Sequence, residues 1–160
     1  MRNGIDTEFF VQHIQCTREQ KMECLDTVRL LLDIAFTARE FGLLKLEELI
    51  QDHVRFSDRF LRKAVNLTIE ISKPENIREV LYNYLFTSCY ASNQQFLIGV
   101  IITETMVAVG QSESLDYIFT YLIPSYFGLD YEGDAIRIYR NYRAGLRKLD
   151  AAKAKEGEQA

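Results

Sequence analysis

The side chains that most often bind metal ions or act as nucleophiles are few in this sequence and widely spaced. His13 and Cys16 lie three residues apart, which suits one side of a helix, and Cys24 follows eight residues later. A structural zinc site needs about four ligands at tight, paired spacings. A capping motif that begins at Thr17 would also turn the chain between the two cysteines. The sequence therefore predicts no metal ion and no other cofactor, and we interpret these three side chains as packing groups.

The short motifs of common catalytic sites are also missing from the sequence. Its eight glycines are scattered rather than grouped into a phosphate-binding loop. Neither a Gly-x-Ser-x-Gly nor a His-Glu-x-x-His segment occurs. We therefore predict a protein-interaction module rather than an enzyme. A small enzyme or ligand-binding protein stays open as the alternative, because active sites also assemble from residues that are distant in sequence.

One carboxylate falls inside the most apolar stretch of the chain. Glu104 lies within residues 96–110, a segment whose composition predicts a buried helix. Burying an unpaired carboxylate costs free energy of folding. Glu104 should therefore be protonated, paired with another group, or placed on a solvent-exposed side of the helix. The first interpretation is a residue that is partly exposed or bonded within the fold. The second is a polar contact in a pocket or a subunit interface, and this pocket would serve the enzyme or ligand-binding alternative.

Arginine dominates the last predicted helix. Arg137, Arg140 and Arg143 step by three, and no acidic residue falls between Asp134 and Asp150. Tyrosines lie between the arginines, and both residue types are enriched where protein interfaces carry binding energy. The pattern fits either a solvated basic face or a docking face for an acidic protein partner.

The spacing of apolar residues indicates the elements that must position these side chains. Apolar residues recur mostly three and four positions apart, the helical period, and strand-like alternation is hard to find. The 160 residues fit one domain. We predict an all-α fold, a compact bundle of about seven or eight helices formed by residues 1–149. Residues 150–160 lack large apolar side chains and are predicted to form a flexible C-terminal tail.

Several residues predict where helices begin and end. Thr17 has capping-box spacing with the glutamine three positions later. Gly42 is placed to end a long helix in the left-handed conformation that glycine readily adopts. Pro124 should break a short helix over residues 115–122. The last helix is predicted to run over residues 132–149.

Composition limits the kinds of partner and the cellular compartment that we expect for this protein. The net charge of −4 argues against nucleic-acid binding, which needs a dominant basic surface. No apolar run reaches the roughly 20 residues of a membrane span. The first residues show no apolar signal-peptide core. The odd number of cysteines, Cys16, Cys24 and Cys89, favours free thiols in a reducing cytoplasm. We therefore expect a cytoplasmic protein.

Three segments, taken in order, resemble the cytoplasmic region of the flagellar motor stator protein MotA family. Residues 38–48 read Ala-Arg-Glu-Phe-Gly-Leu-Leu-Lys-Leu-Glu-Glu, where the family shows an Ala-Arg pair, Gly-Leu-Leu and Leu-Glu. Residues 60–64 resemble its Phe-Leu-Arg/Lys helix start, and residues 74–79 its Pro-Glu helix start. The similarity covers about residues 36–90, one third of the chain.

The resemblance implies a helical scaffold that docks on a protein partner. For this family such a partner would be a flagellar rotor component. Arg39 and Glu47 match the charged positions through which the family meets its rotor. Their eight-residue spacing would put both on one side of an unbroken helix, whereas a break at Gly42 would present them across a corner. The family's four membrane spans have no counterpart here, so its proton-channel activity does not carry over.

Aromatic residues around Pro124 raise the question of self-association. They include Tyr117, Tyr121 and Phe127, in a chain with ten Phe and nine Tyr. A helix buries the side chains on one of its sides and exposes the others, so some of these rings should stay on the surface. An apolar patch on a protein surface usually marks a contact site. We predict a two-fold homodimer, the commonest way to cover such a patch. The alternative is that these rings finish the monomer's core.

Overall fold

Helices follow one another along nearly the whole chain, which the computed structural model describes at residues 4–88 and 92–159. Within these two ranges no strand occurs, and the prediction of an all-α fold is confirmed. The helices are α1 (Gly4–His13), α2 (Arg18–Glu23), α3 (Leu25–Phe41), α4 (Lys45–Leu49), α5 (Arg59–Glu70), α6 (Pro74–Thr87), α7 (Asn93–Gly110), a π-helix (Tyr117–Leu122) that continues into α8 (Ile123–Ser125), and α9 (Glu132–Glu158).

Two helix starts follow the capping chemistry that the sequence indicates. The Gln20 backbone N–H donates to Thr17 Oγ1 at 3.3 Å, and the Thr17 backbone N–H donates to Gln20 Oε1 at 2.9 Å. This reciprocal pair is a complete capping box at the start of α2. Ser92 caps α7 in a similar way, since its Oγ accepts from the Gln95 backbone N–H at 3.3 Å.

Helix α7 lies at the centre of the fold. It packs against α1, α3, α5, α6 and the π-helix, and almost every residue from Phe96 to Val109 is buried. A helix that is apolar all round belongs in such a position, so the prediction of a buried core helix is confirmed. Gly99 permits a close approach, because a Cβ there would lie 2.5 Å from Leu85 Cδ1 of α6. No helix in the described ranges is both long and apolar enough to cross a membrane.

A sharp corner separates α3 from α4. Gly42 ends α3 as predicted, and its N–H donates to the Ala38 carbonyl at 2.9 Å. Its backbone angles, φ 86° and ψ 164°, differ from the predicted left-handed helical values. They belong to an extended region at positive φ that is essentially reserved for glycine. The helix therefore does not continue, and Arg39 and Glu47 lie on different helices, across a corner.

The end of α7 uses a serine where glycine is the usual choice. The Glu113 N–H donates to the Ala108 carbonyl and the Ser112 N–H to the Val109 carbonyl, each at 3.0 Å. This is the Schellman pattern, which requires a positive φ at the residue after the cap. Ser112 adopts it with φ 58°. Because of its Cβ, serine is strained in this region.

Replacing Ser112 with glycine is expected to raise the free energy of unfolding by about 0.5–1 kcal/mol. Relief of the left-handed strain exceeds the extra chain entropy that glycine adds to the unfolded state. Ser112→Val should lower stability instead, since β-branched residues are outliers at positive φ. Urea denaturation followed by circular dichroism measures both. Equal stabilities of the glycine and valine variants would contradict this interpretation.

The C-terminal third departs from the sequence-based boundaries. Pro124 does not break the short helix, which is a π-helix running directly into α8. The Ile123 N–H donates to the Ile118 carbonyl at the end of the π-helix. Pro124 is the second residue of α8, a first-turn position at which proline is tolerated. Helix α9 ends at Glu158 rather than near residue 149. Residues 150–159 are exposed along it, and their flexibility stays a prediction.

Candidate functional site

A cavity of about 370 Å³ opens beside the Gly42 corner. The end of α3, the end of α7 and the first turn of the π-helix enclose it, together with the loops that follow α3 and α7. Three of its lining residues are polar, namely Arg39, Ser112 and Glu113. The other six are apolar: Ala35, Ala38, Leu43, Val109, Leu115 and Ile118.

Local structure explains why the polar residues reach this cavity. Ala35, Ala38 and Arg39 are three and four positions apart, so they share one side of the last turns of α3. The alanines are small and leave the recess open, while Arg39 stands at its edge. The Schellman turn after α7 brings Ser112 and Glu113 to the opposite edge. An arginine and a glutamate therefore border one apolar recess.

The two charged residues at the rim point to solvent rather than to partners among the described residues. Both Arg39 and Glu113 are exposed. In the described part of the chain, neither side chain makes a hydrogen bond or an ion pair, with each other or with a third residue. The recess thus carries one uncommitted cation and one uncommitted anion, and both can contact a molecule that enters it.

Helix α9 adds a second arginine to the same side of the molecule. Burial first, and then the hydrogen-bonding Asp116 carboxylate, raise the pKa of the Tyr139 hydroxyl, while Arg143 and Arg39 oppose that shift. Helices α3 and α9 pack against each other, and we expect the two guanidinium groups to lie near this contact. We call the exposed Arg39, Glu113, Asp116 and Arg143, which lie near the buried Tyr139, the corner surface.

The contacts of Arg143 differ from those of Arg39. The Arg143 Nη1 lies 3.3 Å from Asp116 Oδ1, and its guanidinium lies 5.7 Å from the centre of the Tyr139 ring. Both members of this ion pair are well exposed, at 47% and 60% of their side-chain areas, so solvent screens it and it contributes little stability. A binding partner that replaces Asp116 as the acceptor for Arg143 would therefore sacrifice little stability.

The remaining residues of the predicted basic face separate from the corner surface. Arg137 Nη1 lies 3.5 Å from Asp134 Oδ1 one turn earlier. Arg140 is exposed and has no hydrogen bond or ion pair to any described residue. Steps of three residues turn gradually around a helix, so the three arginines do not form one continuous stripe toward α3. Arg143 alone joins Arg39 on the corner surface.

Glu47 lies on the far side of the Gly42 corner. It is exposed in the first turn of α4, and it does not line the cavity. The structure therefore brings Arg39 together with Glu113 and Arg143, residues distant in sequence, rather than with Glu47.

Glu104 is bonded within the fold, as the first interpretation expected. Its Oε2 accepts from Arg78 Nε at 3.3 Å and from Arg78 Nη2 at 3.0 Å. Its Oε1 accepts from the Tyr82 hydroxyl at 2.7 Å. Arg78 and Tyr82 are four residues apart on α6 and so face α7 together. The cavity beside Arg39 does not include Glu104.

The early histidine and cysteines occupy packing positions. The His13 ring stacks on Phe9 with 4.0 Å between ring centres. Cys24 is fully buried, and burial raises the pKa of its thiol to about 12. Burial also raises the pKa of the half-buried Cys16 thiol. No cluster of three potential metal ligands exists among the described residues, and Cys89 lies outside them.

The aromatic group around Pro124 divides between core and surface. Phe127 is fully buried, so the expectation that it takes part in a dimer contact is wrong. It sits below the surface because the turn after α8 directs it into the core beneath α9. Tyr117 and Tyr121 remain 42% and 68% exposed. Phe127 thus belongs to the core, as the alternative expected, and the homodimer stays a prediction for the two exposed rings.

Sequence reasoning found Arg39 and Arg143 but missed Glu113, Ser112 and Asp116. Nothing in their local sequence marks them, because their role depends on a turn that brings them opposite α3. No protein-family model matches the chain, and neither a curated protein nor a solved structure matches it significantly. Its function therefore has to be inferred from its own residues.

Proposed function

We propose that this chain is a non-catalytic, cytoplasmic protein-interaction module that docks through the corner surface. The observation that carries the proposal is Arg39, an exposed arginine that lies at the edge of an apolar recess and has no hydrogen bond or ion pair to any described residue. Interfaces draw their energy from such arrangements, in which an anchor fills a pocket and flanking charges set orientation. Arg143 adds a second cation, which lies over the ring of the buried Tyr139.

The chemistry of the partner follows from these groups. An acidic segment would pair with Arg39 and would compete with Asp116 for Arg143. A neighbouring apolar side chain would enter the recess. The motility link rests on a different basis, the resemblance of residues 36–90 to the MotA cytoplasmic region. On that basis we propose a flagellar rotor component as the partner, and a captured partner of another kind would refute that link while leaving the docking surface in place.

Charge reversal at Arg39 is expected to weaken partner binding by about tenfold without loss of helix. One reversed charge replaces an attraction with a repulsion, and rim charges act mainly on the association rate. The partner is first captured from native extract and identified by mass spectrometry. Its binding to Arg39→Glu is then measured by surface plasmon resonance at low and high salt. Glu47→Lys should have a smaller effect, since Glu47 lies beyond the corner.

Arg140→Glu is the matched control. It makes the same change of charge at an exposed site outside the corner surface, so it should retain nearly full affinity. Circular dichroism must show the same helix content for all three variants. Unchanged affinity and association rate in both Arg39→Glu and Glu47→Lys would refute docking at this corner.

A further inference from the structure

The recess beside Arg39 has the size and lining of a small-molecule site. Its volume of about 370 Å³ lies within the range of roughly 300–1,000 Å³ that is usual for ligand pockets. Six of its nine lining residues are apolar. This space accepts an apolar group as large as a leucine or phenylalanine side chain.

The charges at the edge of the recess define what else the ligand must carry. Arg39 presents several N–H donors in a planar fork that suits a carboxylate. Glu113 presents acceptors only and suits an ammonium group. Asp116, another acid of the corner surface, is already engaged by Arg143. A ligand that enters the recess therefore meets one free cation and one free anion.

Two backbone irregularities border the same recess. Ser112 holds a positive φ of 58°, and Ile118 belongs to the π-helix. Both kinds of conformation are uncommon and concentrate at functional sites. The strained serine also positions Glu113, the next residue, on the rim. The geometry that creates the anionic edge is thus maintained at some cost in stability.

We infer that the recess binds an apolar α-amino acid. The carboxylate pairs with Arg39, the ammonium group pairs with Glu113, and the apolar side chain fills the space between α3 and the π-helix. A simple carboxylate would leave Glu113 without a partner, and a simple amine would leave Arg39 without one. A zwitterion satisfies both. It takes the recess and the Arg39 side chain that the proposed protein partner also uses, but probe binding and partner capture are measured separately, so either proposal can fail alone.

Three probes with the same ring separate the two charges. Phenylalanine carries both, 3-phenylpropanoate lacks the ammonium group, and phenethylamine lacks the carboxylate. Each is titrated into ¹⁵N-labelled protein and followed by NMR. Phenylalanine should bind with a Kd of about 1–10 mM, with shifts confined to residues 35–43 and 109–118. Each analogue should bind about threefold to fivefold more weakly, the effect of losing one screened ion pair.

Two exposed substitutions then assign each charge to its partner. Arg39→Gln should abolish the preference for phenylalanine over phenethylamine. Glu113→Gln should abolish the preference over 3-phenylpropanoate. Arg140→Gln, outside the recess, should leave all three affinities unchanged. Circular dichroism confirms folding of each variant.

The inference is overturned if the three probes bind the unmodified protein equally, or if phenylalanine causes no localised shifts at about ten times the expected Kd. Preferences that persist in both charge variants would overturn it as well.

Discussion

Phe127→Ala should lower the free energy of unfolding by about 3–5 kcal/mol, whereas Tyr121→Ala should change it by less than about 1 kcal/mol. Phe127 is fully buried, while Tyr121 is 68% exposed. Truncation of a buried ring loses the transfer free energy and leaves a cavity. The hydrogen bond from Lys21 Nζ to the Phe127 carbonyl, 3.0 Å long, involves the backbone and survives the change. Urea denaturation measures both variants.

The same pair of residues bears on self-association. The proposed homodimer now depends on the exposed Tyr117 and Tyr121, because Phe127 cannot contribute. Light scattering of the unmodified protein should give twice the chain mass of 18.6 kDa. Tyr121→Ala should shift the population toward the monomer while it stays folded. A mass near 18.6 kDa over a wide concentration range would end the dimer proposal. Similar losses of stability in Phe127→Ala and Tyr121→Ala would contradict the assignment of core and surface.

The second large effect is expected at the contact between α6 and α7. Arg78→Met should lower the free energy of unfolding by about 1–3 kcal/mol, because it removes two hydrogen bonds from the Glu104 carboxylate, which is 14% exposed. The estimate stays below that for a fully buried pair, since Arg78 is 41% exposed and solvent screens it. Glu104→Leu should lower the free energy of unfolding by a similar amount. The arginine left behind can turn to water, but the buried Tyr82 hydroxyl loses one acceptor. Thermal and urea unfolding provide the measurement.

The double variant distinguishes a coupled pair from two independent side chains. The loss of stability in the double variant Arg78→Met and Glu104→Leu should be smaller, by about 1 kcal/mol, than the sum of the losses in the two single variants. Both charges are absent from the double variant, so neither is left without its partner. Strict additivity would show that the pair contributes nothing as a pair. Lys63→Met on α5 is a suitable control for loss of an exposed cation.

Local chemistry explains what could be predicted at the ends of helices. The Thr17 capping box and the Ser92 cap depend on residues within three positions of each other, so the sequence contains everything they need. Gly42 was identified as a helix end for the same reason. Its actual conformation was not predicted, because ψ at a corner depends on how α4 packs beneath α3.

The boundary errors have physical causes too. Pro124 follows a π-helix, which no local propensity signals, and lies in the first turn of α8 where proline is tolerated. Helix α9 continues to Glu158 because residues 150–158, rich in alanine, lysine and glutamate, favour helix even without packing. The apolar periodicity of this segment ends near residue 149, whereas residues with high helical propensity continue beyond it.

The sequence by itself determined the helical class of this protein, the position of its central apolar helix and the isolation of Glu104 within it. Those features follow from the spacing and composition of single segments. Only the tertiary structure decided which distant residues meet. It paired Glu104 with Arg78, buried Phe127 and exposed Tyr121. It also placed Glu113 opposite Arg39, because packing of α3 against α7 and α9 sets these distances and no local pattern encodes them.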